Sequence, residues 1–336
     1  MNNVEMSAAS NPVRIKPPAL QPGDVVGIAA PASNVKRHAL EAGCDRLRQL
    51  GYKPFYFDSI FEQDLYFAGS IERRTRELEE MFVRDEVRAI LCARGGYGSN
   101  YLLDRLDLKK IKAHPKIFIG YSDLTSLLTY FADVAGFVTF HGPMVAKDFA
   151  HADGVDLFSW EHALTDSSPW ALQPDADVQS LVEGSAEGIL YGGCLSILVA
   201  SLGTPYEIRT AGTILFIEDI AAKPYQIDRM LMQLKLAGKL ADVQGIIFGE
   251  MVDCVQNSVK TGTAKDQGYT LEEVVLRIVG DLGVPVAYGL RSGHVSRGNI
   301  TLPIGVRAGL TISSGAVELK MLEASTSAAV ASRSAR

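Results

Sequence analysis

The stretch AILCARGGYGSNYLLDRLDLKKIKAHPKIFIGYSDL, residues 89–124, decides the fold class. It holds two short apolar runs, AILCA (89–93) and IFIG (117–120), each ending in a turn: Arg94-Gly95-Gly96-Tyr97-Gly98-Ser99-Asn100 after the first, Tyr121-Ser122-Asp123 after the second. Both runs are continuous rather than alternating, as expected of strands buried on both faces of a parallel sheet. Working outward, VVGIAA (25–30), PFYFD (54–58) and FVTFH (137–141) repeat the pattern and make five strands. Helical spacing separates them. Leu40, Cys44, Leu47 and Leu50 recur before Gly51, and Ile71, Leu78, Met81 and Phe82 follow Ser70. A third helix is expected from Ser122 through Leu124, Leu127, Leu128 and Phe131 to Gly136. The expectation is an α/β domain over residues 21–152, preceded by a flexible segment over 1–20.

The stretch TDSSPWALQPDADVQS (165–180) has no sustained period, so residues 153–183 read as a linker. A second, α+β domain is expected over 184–323. It would contain the strands GILYG, TILFI and GIIFG, apolar helices at CLSILVASLG and Ile227–Leu234, a Thr270/Glu273 capping box, and closing strands NITLPI, GLTIS and AVELKM. Residues 324–336 read as a frayed tail.

With 336 residues, 47% of them apolar, the chain can bury a large core. Lys plus Arg number 33 against 39 acidic residues, a net charge of -6 with no basic stripe, which argues against an electrostatic nucleic-acid binder. No apolar run approaches the roughly 18 residues that cross a bilayer, and the start lacks a signal-peptide core. A cytoplasmic protein with no membrane partner is expected. Cys44, Cys92, Cys194 and Cys254 form no CxxC pair, and the six histidines no HxH or HExxH spacing. Reduced thiols and no metal follow.

In open parallel sheets ligands bind beyond the carboxyl ends of the strands. The glycine turn at 94–100 lacks both a GKS/GKT ending and GxGxxG spacing, which leaves a tight turn or an oxyanion site. Ser122 stands at a strand-to-helix junction, as a raised nucleophile or as a helix N-cap. Leu124 replaces the second glycine of GxSxG, so an α/β-hydrolase elbow is not supported. A serine nucleophile needs a base and an orienting carboxylate. Glu218-Asp219 ends the strand TILFI, and His294 lies in the loop RSGHVSRG (291–298). Their plainer readings are a solvated strand end and a surface imidazole. His141 also ends a strand and competes as base or substrate contact.

Taken together, ARGGYGS (93–99), IGYSDLTSLL (119–128), FHGPM (140–144), GGCLSILVASLGTPYE (192–207), LFIEDIAAKPYQIDRML (215–231), GIIFGE (245–250) and YGLRSGHVSRGNITLPIG (288–305) strongly resemble the LD-carboxypeptidases, the muramoyl-tetrapeptide carboxypeptidases. The resemblance runs collinearly over about residues 20 to 320. It implies a Ser122, Glu218, His294 triad on a flavodoxin-like N-terminal domain and a swivelling, β-rich C-terminal domain, with the site in the cleft between them. It implies release of terminal D-alanine from murein tetrapeptide, without metal or cofactor, by a cytoplasmic homodimer. Under this reading the backbone N–H groups of Asp123 and of Gly96 or Gly95 would form the oxyanion hole. Arg94 would hold the substrate carboxylate, and Tyr97, Tyr225 and Arg229 would line the cleft. Cys194 departs from the asparagine usual after the paired glycines.

Alternatives are a microcin-immunity type peptidase acting on an aminoacyl-nucleotide antibiotic, a non-catalytic peptide-binding module and a conventional esterase. The loop Asp253 to Gln267 has no Trp, Phe or Tyr to stack on a base, which favours the murein peptide.

Overall fold

The computed structural model describes residues 13–254 and 269–329. The first half alternates β1 (Val25–Ala29), α1 (Arg37–Gln49), β2 (Lys53–Phe55), α2 (Ile71–Val83), β3 (Val87–Cys92), α3 (Leu108–Ala113), β4 (Ile117–Gly120), α4 (Thr125–Tyr130), β5 (Thr139–His141) and α5 (Leu157–Leu164). Strands β1 to β5 are all parallel, in the order β2-β1-β3-β4-β5. Every residue of β4 and β5 is buried, as the continuous apolar runs require. Helix α2 starts where Ser70 accepts a hydrogen bond from the Arg73 N–H, and it packs Leu78, Met81 and Phe82 inward. The same helix buries Arg74, whose Nη1 donates to the carbonyls of Pro31 and Gly98 at 2.7 Å each. That pins the far end of the glycine turn.

The second half contains β6 (Trp170–Ala171), β7 (Gln179–Val182), β8 (Gly184–Cys194), α6 (Leu195–Ala200), β9 (Thr213–Glu218), α7 (Pro224–Leu236), β10 (Gly245–Gly249), α8 (Leu271–Val279), β11 (Val286–Leu290), β12 (Leu302–Ile304), β13 (Arg307–Ser313) and β14 (Ala316–Met321). Its eight-stranded sheet has the order β6-β14-β13-β8-β9-β10-β11-β7. Strands β8 to β11 are parallel, with antiparallel neighbours on both flanks. The expected capping box at Thr270 and Glu273 opens α8.

Several expectations are corrected. Residues 153–183 are more than a linker: Asp156 caps α5 by accepting from the Ser159 N–H at 2.7 Å, and β6 and β7 form edges of the second sheet. Eight helical residues and strands of two and four residues are too short to show a period. The NITLPI strand does not join the second domain's sheet. Leu302–Ile304 pairs antiparallel with His141–Thr139 and closes the first sheet. The start of the chain is held from residue 14 onward: Ile15 bridges Phe137, the Arg14 Nη2 pairs with Asp133 at 2.9 Å, and Leu20 is fully buried. The tail is ordered through 325–327, where Ser327 exchanges backbone hydrogen bonds with Pro17 and Ala19 and Thr326 is buried. The third helix begins as a 3-10 turn over Ser122–Leu124 and ends in a π-helical turn over Phe131–Ala135.

Candidate active site

The residues that follow strand β4 enter a cavity of about 500 Å³, lined by Arg94, Gly95, Gly96, Tyr121, Ser122, Met144, Lys147, Ile220 and His294 among others. Ser122 has φ 62, the left-handed region that a non-glycine residue adopts rarely. An N-cap needs β-region backbone, so this conformation argues against the capping role and lifts the side chain out of the turn. Gly95 makes room for it. A Cβ at residue 95 would stand 2.9 Å from the Ser122 Cβ.

The turn is braced from below. Asp123 is buried, and its Oδ2 accepts from the Ser99 N–H at 2.7 Å, while the Ser99 hydroxyl donates to the Asp123 carbonyl at 2.6 Å. Burial pushes the Asp123 carboxyl up from its ordinary value, opposed by the bonds from Ser99. The Asp123 side chain therefore ties the glycine turn to the helix start, and its N–H lies in a first turn, where amides lack helical partners.

Strand β9 ends in Glu218, fully buried and opposite Cys194 of β8 in the sheet. The loop after β11 carries His294 to it: Nδ1 lies 2.7 Å from Glu218 Oε2, and the His294 backbone N–H donates to the same oxygen at 3.1 Å. A proton on Nδ1 leaves Nε2 as the basic nitrogen. Burial pushes the Glu218 carboxyl up, but the His141 and His294 rings beside it outweigh burial and hold it down at about 2. Tyr121 packs edge-on against His294, ring centroids 5.1 Å apart. Neither Glu218 nor His294 is the surface group of its plainer reading.

The structure thus brings Ser122, His294, Gly95, Gly96 and Arg94 to one cavity, with Glu218 directly behind the imidazole. Arg94 is exposed and donates to the Asn34 carbonyl at 3.2 Å. Tyr97 does not line this cavity; it sits beside it among Tyr66, Phe67 and Tyr101. Tyr225 lines a separate cavity with Asp228 and Arg277, and Arg229 lies over its ring. His141 is fully buried behind Glu218, out of reach as a substrate contact. At the departure from the asparagine pattern, the Cys194 N–H donates to Thr125 Oγ1 at 3.1 Å and its thiol contacts Ser196. Residues 255–267 of the loop weighed for base stacking lie outside the described residues.

Four residues escaped the sequence reading. Lys147 follows β5 and joins Arg94 and Lys36 as a third cation on the cavity wall, 5.2 Å from the Tyr121 ring. Its position after a strand end was an available signal. Asn299, fully buried, accepts from the Gly293 N–H and donates to the Gly293 carbonyl at 2.9 and 3.0 Å, which fixes the loop that carries His294. Ser292 holds the His141 ring. No spacing encodes either of these.

Models of the LD-carboxypeptidase N-terminal and C-terminal domains match residues 26–142 and 187–310. A probable murein peptide carboxypeptidase of Bacillus subtilis is 40% identical over 88% of this chain and 91% of its own. The Microcin C7 self-immunity protein MccF of Escherichia coli is 30% identical over 90% and 94%. A solved muramoyltetrapeptide carboxypeptidase from Oxalobacter formigenes superposes with a TM-score of 0.77 at 29% identity, over 91% of this chain and all of that one. A carboxyl-end site shared by two sheets, the match of both domain models and the 40% identity to a carboxypeptidase relative lead to one conclusion: this chain is an enzyme of the LD-carboxypeptidase family of serine peptidases.

Proposed function

We propose that the chain is a serine LD-carboxypeptidase that hydrolyses the L,D bond releasing terminal D-alanine from murein tetrapeptide. The observation that carries this reading is the His294 Nδ1 to Glu218 Oε2 pair, 2.7 Å, behind a cavity that also takes in the left-handed Ser122. Ser122 attacks the carbonyl of the L-centre while His294 Nε2 removes its proton. The same imidazole returns the proton to the departing D-alanine amine, and water reverses the sequence. Glu218, ionised over the whole working range, orients the ring and offsets the imidazolium charge.

The tetrahedral oxyanion faces the N–H groups of Asp123 and of Gly96 or Gly95, where losing one donor typically costs about 2.7 to 4 kcal/mol of transition-state stabilisation. The substrate's free carboxylate fits a cation on the cavity wall, and Arg94 offers two parallel donors for it. Tyr97 is assigned to the outer edge, where it meets the peptide beyond the scissile bond. No helix of the described residues is long and apolar enough to cross a membrane. A cytoplasmic site of action and a homodimer complete the proposal on the strength of the family resemblance.

The test is mass spectrometry of L-Ala-γ-D-Glu-meso-diaminopimelate-D-Ala incubated with the protein, beside a Ser122→Ala variant. Loss of one alanine with wild type alone is expected. The likeness to MccF, solved in complex with glutamyl sulfamoyl guanosine and aspartyl sulfamoyl adenosine, gives the second reading its weight, so an aminoacyl sulfamoyl nucleoside is run in parallel. Turnover of that compound with an untouched tetrapeptide would reverse the assignment.

A further inference from the structure

His141 closes β5 on the side of Glu218 away from His294, and nothing in the proposed mechanism uses it. It is fully buried, edge-on to Phe216 with ring centroids 5.1 Å apart. Its Nδ1 lies 3.0 Å from the Ser292 hydroxyl oxygen, and Ser292 donates its one hydroxyl proton to the Ile300 carbonyl at 2.8 Å. Ser292 therefore accepts from the ring, which places a proton on Nδ1. The other nitrogen, Nε2, faces Glu218 Oε1 at 3.7 Å, and neither atom has a hydrogen-bond partner among the described residues. A bare Nε2 lone pair turned on a carboxylate oxygen would leave two buried polar atoms both unpaired and repelling. A proton on Nε2 turns that repulsion into the attraction of an ion pair.

We infer that His141 is a positioning residue: an imidazolium, protonated on both nitrogens, whose Nε2–H holds Glu218 Oε1 so that Oε2 stays on His294. The inference rests on the reading of Glu218 and His294 as orienter and base. At 3.7 Å the contact is ionic rather than a hydrogen bond. The loop supports the arrangement, since a Cβ on Gly293 would stand 2.6 Å from Glu218 Cδ and 2.8 Å from His141 Cε1. Only glycine lets His294 follow there.

The consequence is electrostatic. A carboxylate between two imidazoles shares its charge, so Glu218 orients His294 without holding the ring's proton as tightly as an unshared carboxylate would. The other groups around the pair are Tyr121 from the nucleophile turn with Asp148 behind it, Lys147 above Tyr121, Asp219 beside Glu218, and the thiols of Cys194 and Cys254. Burial pushes Tyr121 and both thiols up, which keeps them neutral. Burial also pushes the carboxyls of Asp148 and Asp219 up.

The test uses the full chain, labelled with nitrogen-15 in its histidines, and His141→Leu, His141→Gln and Ser292→Ala variants. In wild type at neutral pH the ring assigned by loss of its signals in His141→Leu is expected to carry protons on both nitrogens. His141→Leu is expected to lower kcat by about tenfold or more at little-changed KM, within the ~10⁴ that the orienting carboxylate is worth in serine hydrolases. Its acidic limb of activity moves to higher pH by about one unit, because a cation next to the base has been removed. His141→Gln restores a donor without charge, so kcat recovers while the limb stays displaced. Ser292→Ala, which leaves Glu218 untouched, moves the limb the same way.

A bare Nε2 in wild type, or a His141→Leu enzyme with wild-type kcat and limb, overturns the inference. If His141→Leu fails to fold, the glutamine variant and the wild-type ring signals decide. A fully active Ser122→Ala protein would instead sink the triad, and the ring protonation would still stand or fall by itself.

Discussion

Ser122 holds a left-handed φ of 62, a conformation that costs of order 1 to 3 kcal/mol for a residue with a side chain. It persists because the neighbouring backbone leaves no alternative: Gly95 approaches to contact, and Ser99 bonds both the carbonyl and the carboxylate of Asp123. Gly95→Ala tests this at the residue scale. Its Cβ would meet the Ser122 Cβ at 2.9 Å, and a displacement near 1 Å at a reacting atom costs about 10²-fold. Release of D-alanine is expected to fall by that order while near-ultraviolet circular dichroism stays native. Asn299→Ala acts on the other partner, stranding the Gly293 N–H and carbonyl, about 1 to 3 kcal/mol for a buried group left unpaired. Urea unfolding should shift by that amount and kcat should drop with it; an unchanged kcat would mean that His294 keeps its place without the brace. Ser122, Glu218 and His294 were legible because each follows a strand or carries a motif. Asn299 and Ser292 were not, because their partners are backbone groups that a sequence does not display.

At the scale of elements, the continuous apolar runs made the parallel strands legible, and their carboxyl ends then located the cleft. The last strand of the first sheet was hidden, because an apolar run such as NITLPI looks the same whichever sheet receives it. Only the pairing of Leu302–Ile304 with β5 reveals that the chain returns to the first domain after supplying His294. The strap at residues 13–20 was hidden for a similar reason: Ile15, Pro18 and Ala19 find partners at Phe137 and Ser327, far away in sequence. Arg14 is its anchor, donating to the Ala132 carbonyl at 2.9 Å and pairing with Asp133, which also accepts from Tyr191 of β8 at 2.6 Å. Arg14→Ala leaves a buried carboxylate with one hydroxyl partner. The expected loss is about 3 to 5 kcal/mol, the cost of breaking a buried ion pair from one side. Urea denaturation measures it, and because the strap lies away from the cavity, kcat at 25 °C should change less than twofold.

For the whole molecule, acid should separate activity from fold. Glu218 has its carboxyl held down at about 2, so its stabilising contribution is complete above the unfolded carboxylate value and fades as pH falls toward 2. Asp123, Asp133, Asp148 and Asp219 lie the other way, each raised by burial. A group whose folded value is raised binds its proton more tightly in the native state, so these four add stability as pH falls through their raised values toward the unfolded one. The two effects oppose each other in the acid range, and no cooperative collapse is expected where imidazoles titrate, between pH 5 and 8. Activity follows different groups. In the proposed mechanism the base is a bare His294 Nε2, so turnover is expected to fall as that nitrogen takes its proton while Glu218 remains ionised and the sheets remain packed. The measurement is kcat/KM for tetrapeptide and the tryptophan fluorescence of Trp160 and Trp170 over the same pH series. Trp160 is packed against Phe149 and Tyr52 of the first domain, and Trp170 lies on β6 of the second sheet, so the pair reports on both halves. The expected outcome is an activity loss well above the fluorescence transition and full recovery on return to neutral pH. Coincident loss of both signals would mean that acid inactivates by unfolding, and that protonation of the base is not what limits the enzyme on the acid side.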